Sequence, residues 1–311
     1  MKSEILSSSE NMKIEYFYDE EGHHRNLAYI FTPSMNRNLE GNNFGGEVFF
    51  RNGYDTIAFK ISNDDWFQSV KLDLFDTINN IVLKKGYEKK IAYGSSMGGY
   101  ASIAFSKLLD CYSVIAFSPQ FSIDEEFDKR WFAISKKIDF KYRISKDSVK
   151  KNCKFFILYD NMCEDELQVI KLTEVIPYES LNLIKLPFTG YPSTHYLAEV
   201  GLIKDILINI SNNDNVGKVD FFENRRLSKS YFQTMSKNLL KRNHIPSALS
   251  TIESAIKISG KVSEFHRHKS EILDRMGKTD AAISAIREAI QLEQNNKQYQ
   301  NILKVLVDKA N

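Results

Sequence analysis

The sequence predicts an α/β fold, a mostly parallel sheet with helices on both faces, followed by an all-α segment. Three observations carry this. Short apolar runs alternate with amphipathic stretches between about residues 12 and 210, the pattern of strands buried on both faces. One run, Lys90-Ile91-Ala92-Tyr93-Gly94, passes through Ser95-Ser96-Met97-Gly98-Gly99 into a helical pattern (Tyr100, Ala101, Ile103, Ala104, Phe105, Leu108, Leu109) with scarcely any loop. Beyond the polar stretch 211–217 the strand signal disappears. Apolar positions there repeat at an offset of 34, as from Ala248 to Ala282, Ile252 to Ile286, Ala255 to Ala289, Ile256 to Ile290 and Leu239 to Leu273.

Taken in order, residues 1–10 are polar and serine-rich and are expected to fray, and residues 12–18 alternate as an edge strand. Residues 27–31 form a second strand that stops at Pro33, which cannot continue a ladder. A short helix is expected from Phe44 to Asn52, then a strand over 54–61. Phe67, Val70, Leu74, Ile78, Ile81 and Val82 fall at helical spacing, with Gly86 as the C-cap. The strand ending at Gly94 and its helix come next, then a strand ending at Pro119. Residues 120–151 lack sheet character and read as a helical insertion. Strands follow at 155–159 and 181–186, the first with a helix behind it at 167–172, and a last helix runs from about His195 to Ile210.

A chain of 311 residues holds one large or two modest domains. The expected division is a catalytic domain over 1–211, a linker over 212–222 and helical repeats over 223–311. A net charge of +2 makes no case for nucleic acid as a partner. Met1-Lys2-Ser3-Glu4 runs straight into polar residues, so no signal peptide is expected, and no apolar run approaches the length of a membrane span. Cys111, Cys153 and Cys163 are odd in number and lack metal-type spacing with histidine, which fits reduced thiols in a cytoplasmic protein without a bound metal.

Gly94-Ser95-Ser96-Met97-Gly98 matches Gly-x-Ser-x-Gly. A strand-to-helix turn this tight forces strained backbone angles on the serine, and its neighbours must lack colliding side chains. Ser96 would point out of the turn as a nucleophile. The Met97 N–H, at the helix start, would face a developing oxyanion. A serine hydroxyl needs a base, and histidine is suited to that role near neutral pH. His23 and His24 lie in a hairpin turn and His244, His266 and His268 in the repeats; His195 follows the final strand, within Gly190-Tyr191-Pro192-Ser193-Thr194-His195. An acid that fixes the imidazole should follow the strand at 155–159, where Asp160, Glu164, Asp165 and Glu166 compete.

With strand, elbow serine, acid and histidine in that chain order, residues 13–210 resemble the α/β-hydrolase superfamily. The resemblance implies a Ser96–Asp165–His195 triad working through an acyl-enzyme, since the acid of this fold usually lies a few residues into the loop; Asp160 is the rival. It also implies a second oxyanion donor from the loop after Phe31. Pro33 has no N–H, so Ser34 or Met35 is the candidate, and the usual His-Gly signature is missing there.

Residues 223–311 resemble two tetratricopeptide repeats with a closing helix from Lys297 to Lys309, with Asn243 and Gly277 at the inter-helix turns. They lack the early Trp and carry Gly260 and Gln294 where a proline is usual. Two helix pairs fall below the usual minimum for a free-standing array, so these are expected to lean on the catalytic domain or a partner subunit. The elbow Tyr93-Gly94-Ser95-Ser96-Met97-Gly98-Gly99-Tyr100 together with Ser118-Pro119-Gln120 looks like proteins of bacterial surface-polysaccharide gene clusters. That resemblance implies an esterase or an O-acetyltransferase acting on a glycan.

The function expected is a serine hydrolase acting by an acyl-enzyme on a small-molecule or glycan ester, a carbohydrate O-acyl ester among them. The alternatives are an O-acetyltransferase of a surface polysaccharide, with acetyl-coenzyme A as donor in that case only, and a non-catalytic module that docks a protein partner or a second copy through the repeats. Lys136, Lys137, Lys141, Arg143, Lys146, Lys150 and Lys151 stand against Asp139 and Asp147 alone; this stretch either attracts an anionic substrate or forms the solvated face of a lid helix. Trp66, after Asn63-Asp64-Asp65, either stacks on a sugar or is buried beside a helix N-cap.

Overall fold

The computed structural model describes residues 1–36, 38–41, 45–124 and 126–310. Among them eight strands build one sheet: β1 (Lys2–Ser8), β2 (Met12–Tyr18), β3 (Asn26–Phe31), β4 (Tyr54–Ile61), β5 (Lys89–Ser95), β6 (Ser113–Phe117), β7 (Lys154–Tyr159) and β8 (Leu181–Lys185), in the order β1-β2-β4-β3-β5-β6-β7-β8. From β4 through β3 to β8 every pair is parallel, and only the β1–β2 and β2–β4 pairs are antiparallel. The central strands are buried end to end, as a sheet covered on both faces requires. This is the arrangement expected from the α/β-hydrolase resemblance.

Two expectations at the N-terminus need correction. Residues 2–8 are paired as β1, so β2 lies between β1 and β4 and is not an edge. In β1, Lys2-Ser3-Glu4-Ile5-Leu6-Ser7-Ser8, five residues are polar and the first four are exposed. An outer strand held by its backbone ladder needs little apolar surface, so no hydrophobic period announces it.

The helices of this part are α1 (Gly46–Arg51), α2 (Leu72–Lys85), α3 (Met97–Ala104), α4 (Phe132–Ser135), α5 (Asp165–Thr173), α6 (Ser193–Glu199) and α7 (Ile203–Asn213). Phe44, the expected start of α1, lies outside the described residues. Helix α2 ends as expected on Gly86, whose φ of 68° is left-handed and whose N–H donates to the Val82 carbonyl at 3.0 Å. It begins later than the apolar spacing suggests, because Trp66 and Phe67 both have positive φ and cannot be helical. The single helix expected from His195 to Ile210 is two. Gly201, at φ 78°, separates α6 from α7.

The segment 120–151 is not a helical insertion. Apart from α4 and a 3-10 turn at Lys129–Trp131 it is irregular. Nor does it stand outside the core, because Ile123, Ile144 and Val149 are buried in the same cluster as β3 and β4. Its backbone polar groups are satisfied in part by Gln68, whose Oε1 accepts from the Lys141 and Tyr142 amides at 2.8 and 2.7 Å.

Contacts divide the chain into two compact units. One comprises Met1–Pro187, Tyr191–Thr194 and Leu202–Val219; the other comprises Phe188–Gly190, His195–Gly201 and Asp220–Asn311. The second unit holds α8 (Lys229–Lys241), α9 (Ile245–Ile258), α10 (Ser263–Arg275), α11 (Thr279–Leu292) and α12 (Lys297–Ala310). The turns between α8 and α9 and between α10 and α11 carry Asn243 and Gly277 at φ 64° and 72°. The sequence repeat is also a repeat of contacts: Ser236 Oγ donates to the Ala248 carbonyl and Ser270 Oγ to the Ala282 carbonyl, each at 2.8 Å. Ala248, Ala255, Ala282 and Ala289 are all fully buried, where small side chains let paired helices approach. Within this unit Glu199 fastens the end of α6 to the start of α8, accepting from Ser230 N and Oγ at 3.1 and 2.9 Å.

Candidate active site

β5 ends at Ser95 and α3 begins at Met97, leaving Ser96 alone in the turn at φ 57°, ψ −120°. For a residue with a Cβ this conformation costs about 1–3 kcal/mol and must be imposed by its surroundings. The Ser96 N–H donates to the Phe117 carbonyl and its own carbonyl accepts from Tyr100 N, both at 2.9 Å. The glycines are needed for approach. A Cβ on Gly94 would lie 2.2 Å from Gly98 main chain, and one on Gly98 would lie 2.3 Å from the Phe31 carbonyl oxygen at the end of β3. Met97, first in α3, has no carbonyl four residues back to bond within the helix, so its N–H is a candidate oxyanion donor.

The loop after β3 offers less than expected. The Met35 N–H donates to Asp64 Oδ1 at 2.7 Å, and its side chain is exposed. Met35 is therefore engaged elsewhere, and Ser34, half-buried, is the candidate that loop retains.

The Ser96 hydroxyl is buried, and its hydrogen bonds run to the Tyr191 hydroxyl and, at 3.5 Å, to Gln120 Nε2. Gln120 Nε2 also donates to the Tyr191 oxygen, while Gln120 Oε1 accepts from Trp66 Nε1 at 3.3 Å. Trp66 is 0% exposed. The sugar-stacking reading of this residue is thereby corrected, since a ring shut away from solvent can touch Gln120 but not a ligand face. Trp131, half-buried, meets Trp66 and Tyr191 edge-on with ring centres 5.7 and 5.4 Å apart. The Arg130 guanidinium lies 4.9 Å from the centre of the Tyr191 ring. Burial pushes the Tyr191 phenol up, so it stays protonated at neutral pH.

Asp165, first residue of α5 and 1% exposed, pairs with Arg130 Nη1 at 2.9 Å. Burial pushes its carboxyl up to about 6, against the opposing pull of Arg130. The same guanidinium holds Asp128. Burial would raise that carboxyl too, but hydrogen bonds from Arg130 and Gln168 outweigh it and leave Asp128 below its ordinary value. Asp160, at the end of β7, is buried and accepts from Met162 N at 2.8 Å. His195 lies on α6 with its side chain exposed, and its ring makes no hydrogen bond among the described residues. Within the first unit, Ser96 bonds to Tyr191 and Gln120, and Asp165 pairs with Arg130.

Of the basic stretch, Arg143 pairs with Asp124 at 2.6 Å, Lys150 pairs with Asp110, and Lys136 lies 4.1 Å over the Phe132 ring. Lys137, Lys141, Lys146 and Lys151 are exposed. Among the described residues no group of three or more His, Cys, Asp or Glu could hold a metal, and no helix is long and apolar enough to cross a membrane. Residue type alone does not mark Gln120, Tyr191 or Arg130 as neighbours of the serine. The available signal was position: Gln120 follows β6 and Tyr191 precedes α6, both at the end of the sheet where ligands bind.

No protein-family model matches the chain, and no curated protein matches it. Among solved structures it is similar to the Glycosylation Associate Protein (Gap123) complex from Streptococcus agalactiae, at 13% identity over 68% of this chain and 47% of that one, with a TM-score of 0.46. It is also similar to MGS-MChE2, an alpha/beta hydrolase enzyme from the metagenome of sediments from the lagoon of Mar Chica, Morocco, at 16% identity over 61% and 90% of the two chains, TM-score 0.37. A third likeness is to the Arabidopsis OM64 TPR domain, at 16% identity over 36% and 96%, TM-score 0.27. The chain spans about half the length of the Gap123 chain (47%) and of the MamA protein (48%). By its own strand order and helical hairpins, the chain has a sheet of α/β-hydrolase type followed by tetratricopeptide-like helices.

Proposed function

We propose that this chain is a serine esterase that cleaves an acyl ester through a covalent intermediate on Ser96. The observation that carries this reading is the strained backbone of Ser96 between β5 and α3, a conformation that stability alone does not favour. Ser96 Oγ attacks the acyl carbon and loses its proton to a base; the alcohol leaves with that proton, and water then repeats the sequence to release the acid. Neither neighbour of the hydroxyl can be the base. Gln120 has no basic atom, and Tyr191 keeps its proton. We assign that role to His195, oriented by Asp165 or its rival Asp160, with the Met97 N–H on the oxyanion.

The substrate class we favour is a carbohydrate O-acyl ester. Trp131, half-buried against Tyr191, supports it with a partly exposed aromatic ring. The test is hydrolysis of p-nitrophenyl acetate and of O-acetylated sugars by the wild-type protein and by Ser96→Ala and His195→Ala. Both variants should fall to the uncatalysed rate. Unchanged hydrolysis by Ser96→Ala would overturn the proposal, and turnover that rises on addition of an acceptor sugar would change the reaction from hydrolysis to acyl transfer.

A further inference from the structure

The Gln120 amide beside Ser96 has a forced orientation. An indole N–H can only donate, so the 3.3 Å contact from Trp66 Nε1 fixes the Gln120 atom it meets as the carbonyl oxygen. The amide nitrogen must then face the serine, where it has nothing to accept with and donates to the Tyr191 oxygen and towards Ser96 Oγ. Tyr191, its oxygen accepting from Gln120, can give its own proton to Ser96 Oγ. Trp66 and Gln120 are both 0% exposed, so no water is at hand to re-sort the bonds.

We propose that Gln120 Nε2 and the Tyr191 hydroxyl form the side-chain half of the oxyanion hole, and that Trp66 is the positioning residue that keeps the Gln120 amide turned the right way. The proposal rests on the serine reading above. When Oγ attacks an acyl carbon, the carbonyl π pair moves onto an oxygen bonded to that same carbon and therefore adjacent to Oγ. Donors aimed at Oγ are within reach of it. Both are neutral and already oriented, and Gln120 is fully buried, conditions under which a donor lowers a barrier most. They donate hydrogen bonds and keep their protons, and the Ser96 proton goes to the base as before. They add to what the loop after β3 offers, where the Met35 amide is held by Asp64 and Ser34 is the candidate that remains.

The experiment compares the wild-type protein with Tyr191→Phe, Gln120→Glu and Trp66→Phe in ester hydrolysis. Rates are divided by the fraction of Ser96 that a fluorophosphonate labels at completion, so that misfolded protein does not count. A trifluoromethyl ketone, which Oγ converts to a tetrahedral oxyanion, serves as the analogue. Tyr191→Phe and Gln120→Glu should each lower kcat by about 10²–10³-fold and weaken ketone binding by a similar factor. KM should stay within about threefold, since the donors act on the transition state rather than on the substrate. Trp66→Phe, which keeps a ring but frees the amide to turn over, should lower kcat by about tenfold and leave KM alone.

Should Gln120→Glu fail to fold, Tyr191→Phe decides the matter, as it removes a single oxygen. Unchanged or faster kcat in Tyr191→Phe, with unchanged ketone affinity, would overturn the proposal and leave the serine reading standing. A wild-type protein that neither hydrolyses esters nor labels at Ser96 would remove both.

Discussion

Arg130 Nη1 donates to Asp165 at 2.9 Å while Arg130 Nε donates to Asp128 at 2.9 and 3.1 Å, so one guanidinium bridges two buried carboxylates beside the ring of Tyr191. Replacing Arg130 by Met would leave Asp128 and Asp165 buried without their cation. A loss of about 3 kcal/mol of unfolding free energy is expected, because removing one partner of a buried pair strands the other. Urea denaturation at pH 7 measures it, and a loss below about 1 kcal/mol, the range of a surface pair, would contradict the account.

Asp165 also sets a pH dependence. Its carboxyl titrates at about 6 in the folded chain against an ordinary 3.8, so the folded state holds the proton more tightly than the unfolded one. Its contribution to stability is therefore complete below about 4 and is lost as pH rises through about 6, by about 3 kcal/mol for a shift of two units. Asp165→Asn has no such titration. Its stability relative to wild type should rise by up to that amount between pH 4 and 7, and a difference that does not change with pH contradicts the assignment.

The backbone at Ser96 predicts an inverted glycine effect. At an ordinary exposed helical position, glycine costs about 1 kcal/mol relative to alanine. At Ser96, with φ 57°, Ser96→Gly should instead be more stable than Ser96→Ala by about 1 kcal/mol. Thermal unfolding of the two variants makes the comparison, and equal stability would mean a relaxed turn.

In the helical unit, Ala282 is fully buried and its carbonyl accepts from Ser270 Oγ. Ala282→Leu should cost about 1–3 kcal/mol by overpacking the α10–α11 pair, and Ser270→Ala about 1 kcal/mol. Ala248→Leu should match Ala282→Leu, because the contact repeats at 2.8 Å, whereas Ser236→Ala should cost more than Ser270→Ala, because Ser236 Oγ also bonds His268 Nε2 at 3.1 Å. Costs at one pair only would argue that the two hairpins are not equivalent.

What could be read in the sequence is what steric necessity writes there. The tight turn requires Gly94 and Gly98 because a Cβ at either would strike main chain, so the turn announces itself in residue types. The alternation of buried strands and helices likewise gives the sheet and its class. β1 could not be read, because a polar outer strand is held by main-chain bonds that any sequence can make. The break at Gly201 was legible only in hindsight, since the apolar spacing continues across it and the left-handed glycine alone ends α6. The neighbours of Ser96 were hidden for another reason. Gln120 and Tyr191 are common polar residues, and their meaning comes from two loops far apart in the chain that converge on one hydroxyl.

The most direct measurement of the central claim is the intact mass of the protein after treatment with a fluorophosphonate, with peptide mapping of the adduct and Ser96→Ala as the control. A single adduct per chain, located on Ser96 and absent from Ser96→Ala, is the predicted result. A wild-type protein that is folded by circular dichroism and gains no mass, or an adduct that persists in Ser96→Ala, would contradict the claim that this serine is a nucleophile.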